Sequence, residues 1–344
     1  MKKSIDLWII TSLIILQLFA LLNLVGVSRE NITSFLIYTV IGFISLISLY
    51  KIKLSTISQY TVLTYYLFFA LFLLTIIIAP EIRGAKRWIE LPFFNLQVSE
   101  LFKPFFILLI AKSIIKSKEK NISHFLSLLL IFSVPLFFIY WQPDLANTLL
   151  YSIVLFGMLF IAGYSIKYFG MLGILGAIGA PIILPLLKDY QRLRIISFIN
   201  PRADPLGVNY NINQSIIALG SGKLFGRGLG LGTQSTLKFL PEHHTDFAFA
   251  ALVEQFGFIG GGLILALFFI IIYRLMIKIK TTAVNSYQRF YLIGCIILLI
   301  SALTVNIGMN MGLMPVAGVT LPFISYGGSS TVALMMMIGL AMSI

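Results

Sequence analysis

The chain has 344 residues, of which 59% are hydrophobic and only 11% are charged. An ordinary soluble domain is about 45–50% apolar and about 25% charged, so this composition excludes a soluble globule and a disordered chain. The formal net charge is +13, which basic cytoplasmic loops of a membrane protein explain, and we expect no nucleic-acid partner. The single cysteine, Cys295, excludes a disulfide framework.

Apolar segments long enough to cross a bilayer, about 20 residues each, follow one another along the chain. The predicted fold class is an all-α polytopic membrane protein with one integral membrane domain over residues 1–344. The first segment has too long an apolar core for a cleaved signal peptide. We predict ten transmembrane helices at about 7–27, 33–50, 59–79, 99–116, 123–141, 144–163, 166–187, 247–273, 288–310 and 322–343.

Lysine and arginine residues fall on alternate short loops, which the positive-inside rule places in the cytoplasm. Both termini are then cytoplasmic, and a large loop of about 188–246, between the seventh and eighth helices, is extracytoplasmic. The outer loops are basic as well. This pattern indicates an anionic ligand on the outer side; the alternative is that long loops are translocated across the membrane regardless of their charge. The outer basic residues are Arg83, Lys86, Arg87, Arg192, Arg194, Arg202, Lys223, Arg227 and Lys238.

The segment from 188 to 245 is too polar and too rich in Gly, Pro and Asn to span. Its apolar pieces predict short amphipathic or re-entrant helices at the outer surface. The glycine-rich run at 220–228 lacks both the P-loop spacing and the dinucleotide-binding spacing. Its glycines are expected to permit tight turns, with Lys223 and Arg227 available to phosphate.

Charged residues inside predicted spans mark candidate functional positions, because each costs about 2.5–3.5 kcal/mol on insertion scales. Glu100 and Lys103 lie three residues apart on one helical face and can neutralise each other; the alternative is a buried pair that only docks helices. Asp144 lies at an outer helix end, where it could equally be an N-cap.

Asp246 is the strongest catalytic candidate, because it lies where the long outer segment enters the eighth span. Its alternative role is to stabilise the start of that helix. Glu242, His243 and His244 nearby could indicate a metal site, but no metal-binding spacing occurs, and we predict no protein metal site.

Short motifs along the whole chain resemble the SEDS family of bacterial cell-wall proteins. They are GAKRWI at 84–89, QVSELFK at 97–103, QPDL at 142–145, NP at 200–201, DP at 204–205, QSIIALGSG at 214–222, GTQ at 232–234, LPEHHTDF at 240–247 and LPFISYGGSS at 321–330. Within the family, IGMN at 307–310 and MPV at 314–316 resemble the elongation members (RodA), whereas GVTLP at 318–322 resembles the division members (FtsW). We expect an elongation member.

The resemblance implies a ten-helix peptidoglycan glycosyltransferase that polymerises lipid II on the outer face of the bacterial cytoplasmic membrane. It implies lipid II as donor and acceptor, a class B penicillin-binding protein as transpeptidase partner, and elongation-complex proteins such as MreC and MreD. The essential aspartate of the family falls on Asp246. Ala146, Asn147, Lys223 and Ala248 depart from the usual family pattern.

The reaction consistent with these residues is an inverting glycosyl transfer, which needs one carboxylate as general base. Asp246 is the predicted base, and outer basic residues, with a possible divalent cation (Mg²⁺ or Mn²⁺), would neutralise the pyrophosphate. A lipid II flippase and a non-catalytic scaffold are the alternatives. The predicted substrate-binding residues are Arg87, Trp88, Glu100, Lys103, Asp144, Arg192, Arg194, Gln214, Ser215, Lys223, Thr233, Gln234, His244, Thr245, Ser325, Tyr326 and Ser329. Trp88 could instead be an interfacial belt tryptophan.

Overall fold

The computed structural model describes residues 5–81, 85–91, 94–117, 119–183, 192, 198 and 208–344. The described chain is mostly helical, and a helix lies in each of the ten segments predicted to span. The helices are α1 (Leu7–Val27), α2 (Ile32–Lys51), α3 (Leu54–Gln59), α4 (Thr61–Ile78), α5 (Val98–Lys116), α6 (Ile122–Trp141), α7 (Leu145–Ile161), α8 (Ile166–Ile183), α9 (Val208–Ser221), α10 (Thr233–Thr236), α11 (Ala248–Thr281), α12 (Tyr287–Asn310) and α13 (Gly328–Met342).

Six of the described helices, α1, α2, α4, α6, α11 and α12, are long and apolar enough to cross a membrane. The helices α7 and α13 and most of α8 are shorter apolar segments. Large apolar side chains on the outside of the bundle are widely exposed, such as Ile77 at 76% and Leu130 at 73%. Hydrocarbon rather than water is the solvent that this surface fits.

A pair of short antiparallel strands, β1 (Trp88–Leu91) and β2 (Phe94–Gln97), precedes α5. Trp88 lies opposite Gln97 in the register. The sequence predicted an all-α chain, so the strands are a correction to that fold class. Each strand has four residues, which is too short for a period-two pattern to stand out beside long apolar helices.

Tertiary contacts hold the second strand in place. The Ser329 hydroxyl accepts a hydrogen bond from the Gln97 backbone N–H at 2.9 Å and donates one to the Asn95 carbonyl at 2.9 Å. The Asn95 backbone N–H also donates to the Tyr38 hydroxyl at 2.7 Å. Strand β2 is thereby fixed against α2 and α13.

The last helix starts at Gly328, six residues later than predicted. Residues 321–327 form a turn instead, in which Phe323 has a φ of +61°. The Ser325 hydroxyl accepts a hydrogen bond from the Leu321 N–H at 2.8 Å and so closes this turn. Pro322 cannot donate a backbone hydrogen bond, which favours a turn over a continuous helix.

The helix α11 is broken at Gly257, which has φ +70° and ψ −172°. The broken helix leaves backbone groups without their usual partners, and residues 222–231, which we call the inserted loop, supply new ones. Arg227 and Gly228 N–H groups donate to the carbonyls of residues 254 and 255 at 2.9 and 3.0 Å, and the carbonyls of residues 223 and 224 accept from the N–H groups of residues 258 and 259 at 2.8 and 3.1 Å. Non-helical backbone at membrane depth requires this kind of satisfaction.

Candidate active site

Four of the described helices, α5, α7, α11 and α13, begin at the same cavity. The residues at their N-cap positions, Gln97, Asp144, Phe247 and Gly327, all line it. The cavity has a volume of about 600 Å³. Helix N-termini present free N–H groups and partial positive charge, so these four ends favour an anionic group in a cavity that Glu100, Asp144, Glu242 and Asp246 also line.

Eight of the predicted site residues line this cavity. They come from the first strand and the residue before it, two helix starts, the segment before α11 and the turn before α13. They are Arg87, Trp88, Glu100, Lys103, Asp144, Thr245, Asp246 and Tyr326. The structure therefore brings together residues that lie as far apart in the sequence as positions 87 and 326.

Asp144 is almost completely buried, with 2% of its surface exposed. Its Oδ1 accepts the Asn147 N–H at 3.2 Å, which makes it the N-cap of α7. Its Oδ2 accepts from Gln97 Nε2 at 2.8 Å, Asn147 Nδ2 at 2.9 Å and the Ser99 hydroxyl at 3.2 Å. Asp144 is therefore an N-cap, as one of the two sequence interpretations expected, and its hydrogen bonds also order one wall of the cavity.

Arg87 lies beside this carboxylate. Its Nε donates to the Gln142 carbonyl at 2.9 Å, its Nη2 donates to the Pro143 carbonyl, and its Nη1 is 4.0 Å from Asp144 Oδ1. With 28% of the side chain exposed, the guanidinium is positioned by the turn before α7 and remains accessible from the cavity.

Glu100 and Lys103 form the predicted ion pair, with 2.5 Å between Lys103 Nζ and Glu100 Oε2. Both residues are buried, at 7% and 5% exposure, and both line the cavity. The pair adds no net charge to the membrane interior, and it places an ammonium group at the cavity wall.

Asp246 precedes α11 and is half-buried. The N-cap position belongs to Phe247, which makes no side-chain capping bond, so Asp246 is the residue before the N-cap. The Asp246 carbonyl accepts hydrogen bonds from Asn306 Nδ2 and Asn310 Nδ2, each at 3.0 Å. Two amides on α12 thus fix the backbone of the candidate base.

The turn before α13 holds the same segment from the other side. The Ser325 hydroxyl donates to the Thr245 carbonyl at 2.6 Å, and the Tyr326 N–H donates to the His244 carbonyl at 2.8 Å. The Thr245 hydroxyl donates to Glu242 Oε2 at 3.1 Å. Residues 242–246 therefore have a defined conformation next to the cavity.

Several predicted binding residues do not line the cavity. Ser215 on α9 donates to the Asn310 carbonyl at 2.8 Å, and Ser329 fixes the second strand. Lys223 and Thr233 are exposed and lie outside it. Four more predicted residues do not line the cavity: Gln214, Gln234, His244 and Ser325. Arg192 is half-buried, and Arg194 lies outside the residues that the structure describes.

Sequence reasoning missed three buried polar residues that position this region, namely Asn306, Asn310 and Glu254. Each is 0% exposed. Glu254 accepts the Gln234 and Ser235 backbone N–H groups at 2.9 Å each. The available signal was a polar residue within a predicted span, which is costly unless it has a partner.

Two of the carboxylates that line the cavity are already engaged by other protein groups. No group of three or more His, Cys, Asp or Glu that could hold a metal occurs among the residues that the structure describes. At the cavity, Glu100 is paired with Lys103, and Asp144 already accepts four hydrogen bonds. A divalent cation at this cavity would then be coordinated mainly by the phosphates of a bound ligand.

Comparison with known proteins identifies the family. The FTSW_RODA_SPOVE model, described as cell cycle protein, matches residues 3–344. The chain belongs to this family. Its membership agrees with the motifs that resemble SEDS proteins.

Relatives that are 40% identical to the chain include one from Escherichia coli and one from Bacillus subtilis. One is the peptidoglycan glycosyltransferase MrdB of Escherichia coli K12, matched over 267 residues, 76% of this chain and 71% of the relative. The other is the stage V sporulation protein E of Bacillus subtilis 168, matched over 282 residues, 79% of this chain and 76% of the relative.

Two solved structures have the same fold as this chain. A chain of a peptidoglycan synthase complex, whose structure addresses the coordination of polymerization and crosslinking, superposes with a TM-score of 0.83 at 23% identity, covering 98% of this chain and 97% of that chain. The crystal structure of the rod shape determining protein RodA of Thermus thermophilus superposes with a TM-score of 0.74 at 22% identity, covering 99% and 96%.

Proposed function

We propose that this protein is a peptidoglycan glycosyltransferase that polymerises lipid II into glycan strands during cell elongation. The observation that carries the proposal is the cavity where four described helix N-termini, Arg87 and Lys103 face the same space as Asp246. A pyrophosphate-linked sugar is an anionic ligand that this cavity suits. The peptidoglycan glycosyltransferase MrdB at 40% identity supports the same activity.

Asp246 is the general base in this proposal. The acceptor 4-hydroxyl attacks the anomeric carbon of the donor, its proton passes to the Asp246 carboxylate, and the bond from that carbon to the pyrophosphate oxygen breaks. The anomeric configuration inverts in this single displacement. Asn306 and Asn310 hold the Asp246 backbone, so less of the residue has to be ordered at the moment of reaction.

The leaving undecaprenyl pyrophosphate needs stabilisation of its negative charge. Arg87, Lys103 and the helix N-termini supply it from fixed positions, which is where electrostatic catalysis is most effective. A Mg²⁺ or Mn²⁺ ion that arrives on the pyrophosphate would add to this charge. Trp88 lines the same cavity and offers a flat apolar face to a sugar ring.

The proposed topology has ten transmembrane helices, cytoplasmic termini and the cavity on the outer face of the cytoplasmic membrane. The chain forms one integral membrane domain, with residues of about 188–246 in an extracytoplasmic loop. The positive-inside pattern of the short loops supports this orientation. We propose a class B penicillin-binding protein as the cross-linking partner, in an elongation complex with MreC and MreD.

The decisive experiment supplies the purified protein with labelled lipid II, alone and with a class B partner, and separates products on a gel. We expect glycan strands from the parent protein and a 10²–10⁴-fold lower rate from Asp246→Asn, as is typical for loss of a positioned base. The matched control is Asp6→Asn, since Asp6 caps α1 and pairs with Arg274 and does not line the cavity.

The rival functions give different results. A flippase moves lipid II across vesicles without making strands, and a scaffold makes no strands with any partner and tolerates Asp246→Asn. An Asp246→Asn variant that polymerises at half the parental rate excludes the general-base role.

A further inference from the structure

The inserted loop (residues 222–231) lies about one hydrocarbon thickness from the opposite end of α1. Asp6 caps α1 and pairs with Arg274, with 2.9 Å between Asp6 Oδ2 and Arg274 Nε. From Asp6, α1 runs 20 residues to Gly26, where a Cβ would lie 3.0 Å from the Gly230 nitrogen. At 1.5 Å per residue this path is about 30 Å, the thickness of a bilayer's hydrocarbon core.

The helix α11 gives a similar depth. From Arg274 back to Phe258, the first residue after the break at Gly257, is 16 residues, or about 24 Å, and the Phe258 N–H donates to the Lys223 carbonyl of the loop at 2.8 Å. The Gln255 carbonyl accepts the Gly228 N–H at 3.0 Å, and its Oε1 accepts the Gly230 N–H at 3.1 Å. Backbone and side-chain hydrogen bonds therefore hold the inserted loop near the boundary between hydrocarbon and headgroups.

The loop presents apolar side chains at this boundary. Phe225 is 78% exposed, Leu231 is 69% exposed and Leu224 is 59% exposed. The adjoining residue of α11, Phe258, is 71% exposed. Acyl chains would cover this surface, as they cover the apolar face of an interfacial segment.

Two exposed cations, Lys223 and Arg227, lie on the same loop. Neither forms an ion pair within the part of the chain that the structure describes, and residues 222–241 contain no Asp or Glu. Glu254, the carboxylate beneath the loop, is buried and already accepts the Gln234 and Ser235 N–H groups. This positively charged surface can therefore bind an external anion at the depth of the lipid headgroups.

We infer that the inserted loop is a binding site for an anionic phospholipid. Leu224, Phe225 and Leu231 insert between acyl chains, and Lys223 and Arg227 bind the phosphate. This site is separate from the proposed substrate cavity, because none of these residues lines that cavity. The inference rests on the proposed function only for the membrane-spanning placement of α1 and α11.

The test places the photo-crosslinking residue benzoylphenylalanine at Phe225 in the full-length protein. The protein is reconstituted without lipid II in vesicles of equal phosphatidylglycerol and phosphatidylcholine, and the lipid adducts are counted by mass spectrometry. We expect an excess of phosphatidylglycerol adducts that falls about fivefold for each cation removed in Lys223→Gln and Arg227→Gln. The matched control, Lys51→Gln with Lys53→Gln, changes exposed cations elsewhere and keeps the excess.

Salt gives a second measurement on the protein with Lys223 and Arg227 unchanged. Added NaCl should reduce the excess of phosphatidylglycerol adducts, because it screens the charges. Equal adducts of both lipids, or an excess that survives both glutamine changes, overturn the inference. If added lipid II displaces phosphatidylglycerol, the loop binds the substrate and the inference is wrong. Adducts that form only with a partner protein also overturn the inference. The readout involves no polymerisation, so it remains valid if the proposed enzymatic activity fails.

Discussion

The side-chain amide of Asn306 donates a hydrogen bond to the backbone carbonyl of Asp246 at 3.0 Å. The same Nδ2 atom is 2.7 Å from the Val319 carbonyl. One amide on α12 thus connects two segments that line the cavity. The position of the candidate base depends on a residue that does not line the cavity.

Asn306→Ala should lower the polymerisation rate while the protein remains folded. The change leaves two buried carbonyls without this donor, at a cost of about 1–3 kcal/mol in unfolding free energy, and it loosens Asp246. We expect kcat to fall at least tenfold with little change in KM, measured on lipid II. Asn121→Ala is the control, since it removes the N-cap of α6 at a cost of about 1 kcal/mol. Equal loss of activity in both variants contradicts the positioning role.

Breaking the Glu100–Lys103 pair should cost more stability than removing it. Lys103→Met leaves a buried carboxylate without its partner, which costs about 3–5 kcal/mol, whereas Glu100→Gln with Lys103→Met restores neutrality. We expect the double variant to unfold near the parental temperature and to polymerise at least tenfold more slowly, because both charges line the cavity. Parental activity in a stable double variant makes the pair purely structural.

Gly257→Ala should destabilise the broken helix. A Cβ there would meet the Gly226 nitrogen and the Leu224 carbonyl oxygen at 2.3 Å each, in a backbone with φ +70°. We expect a loss of about 2–5 kcal/mol from strain and overpacking, measured by unfolding in detergent. Gly262→Ala in the same helix has nothing within 4 Å of its Cβ and should be neutral or slightly stabilising. The prediction fails if both variants unfold alike.

Glu254→Gln should release α10 and the residues that lead into it. The carboxylate accepts the Ser235 hydroxyl at 2.6 Å as well as two backbone N–H groups, and an amide replaces one acceptor oxygen with a donor. Hydrogen exchange should rise selectively in residues 228–236, with about 1–3 kcal/mol of stability lost. Glu30→Gln, at an exposed acid, should leave the exchange pattern unchanged. Unaltered protection in Glu254→Gln rules out this anchoring role.

Much of the cavity lining was predictable from sequence because charge is expensive in lipid. Glu100, Lys103 and Asp144 stand out in apolar surroundings, and the structure places all three at the cavity. Asn306 carries no charge and lies within an otherwise ordinary span, so its hydrogen bond to a distant carbonyl could not be read locally.

The helices follow from apolar length alone, whereas the irregular pieces depend on contacts between distant segments. The glycine run at 220–228 gave a turn prediction, yet its backbone partners are residues 254–259 of another helix. The start of the last helix was misplaced for the same reason, because Ser325 and Tyr326 bond to residues 244 and 245. Tertiary hydrogen bonds decided these boundaries.

The turn before α13 also has a consequence for biosynthesis. The segment that carries Asp246 is held by Ser325 and Tyr326, which the ribosome adds about 80 residues later, just before the last helix. A nascent chain that has inserted only its earlier helices therefore lacks the contacts that hold the proposed base. If Asp246 is the base, as we propose, polymerisation has to wait until α13 is translated and inserted.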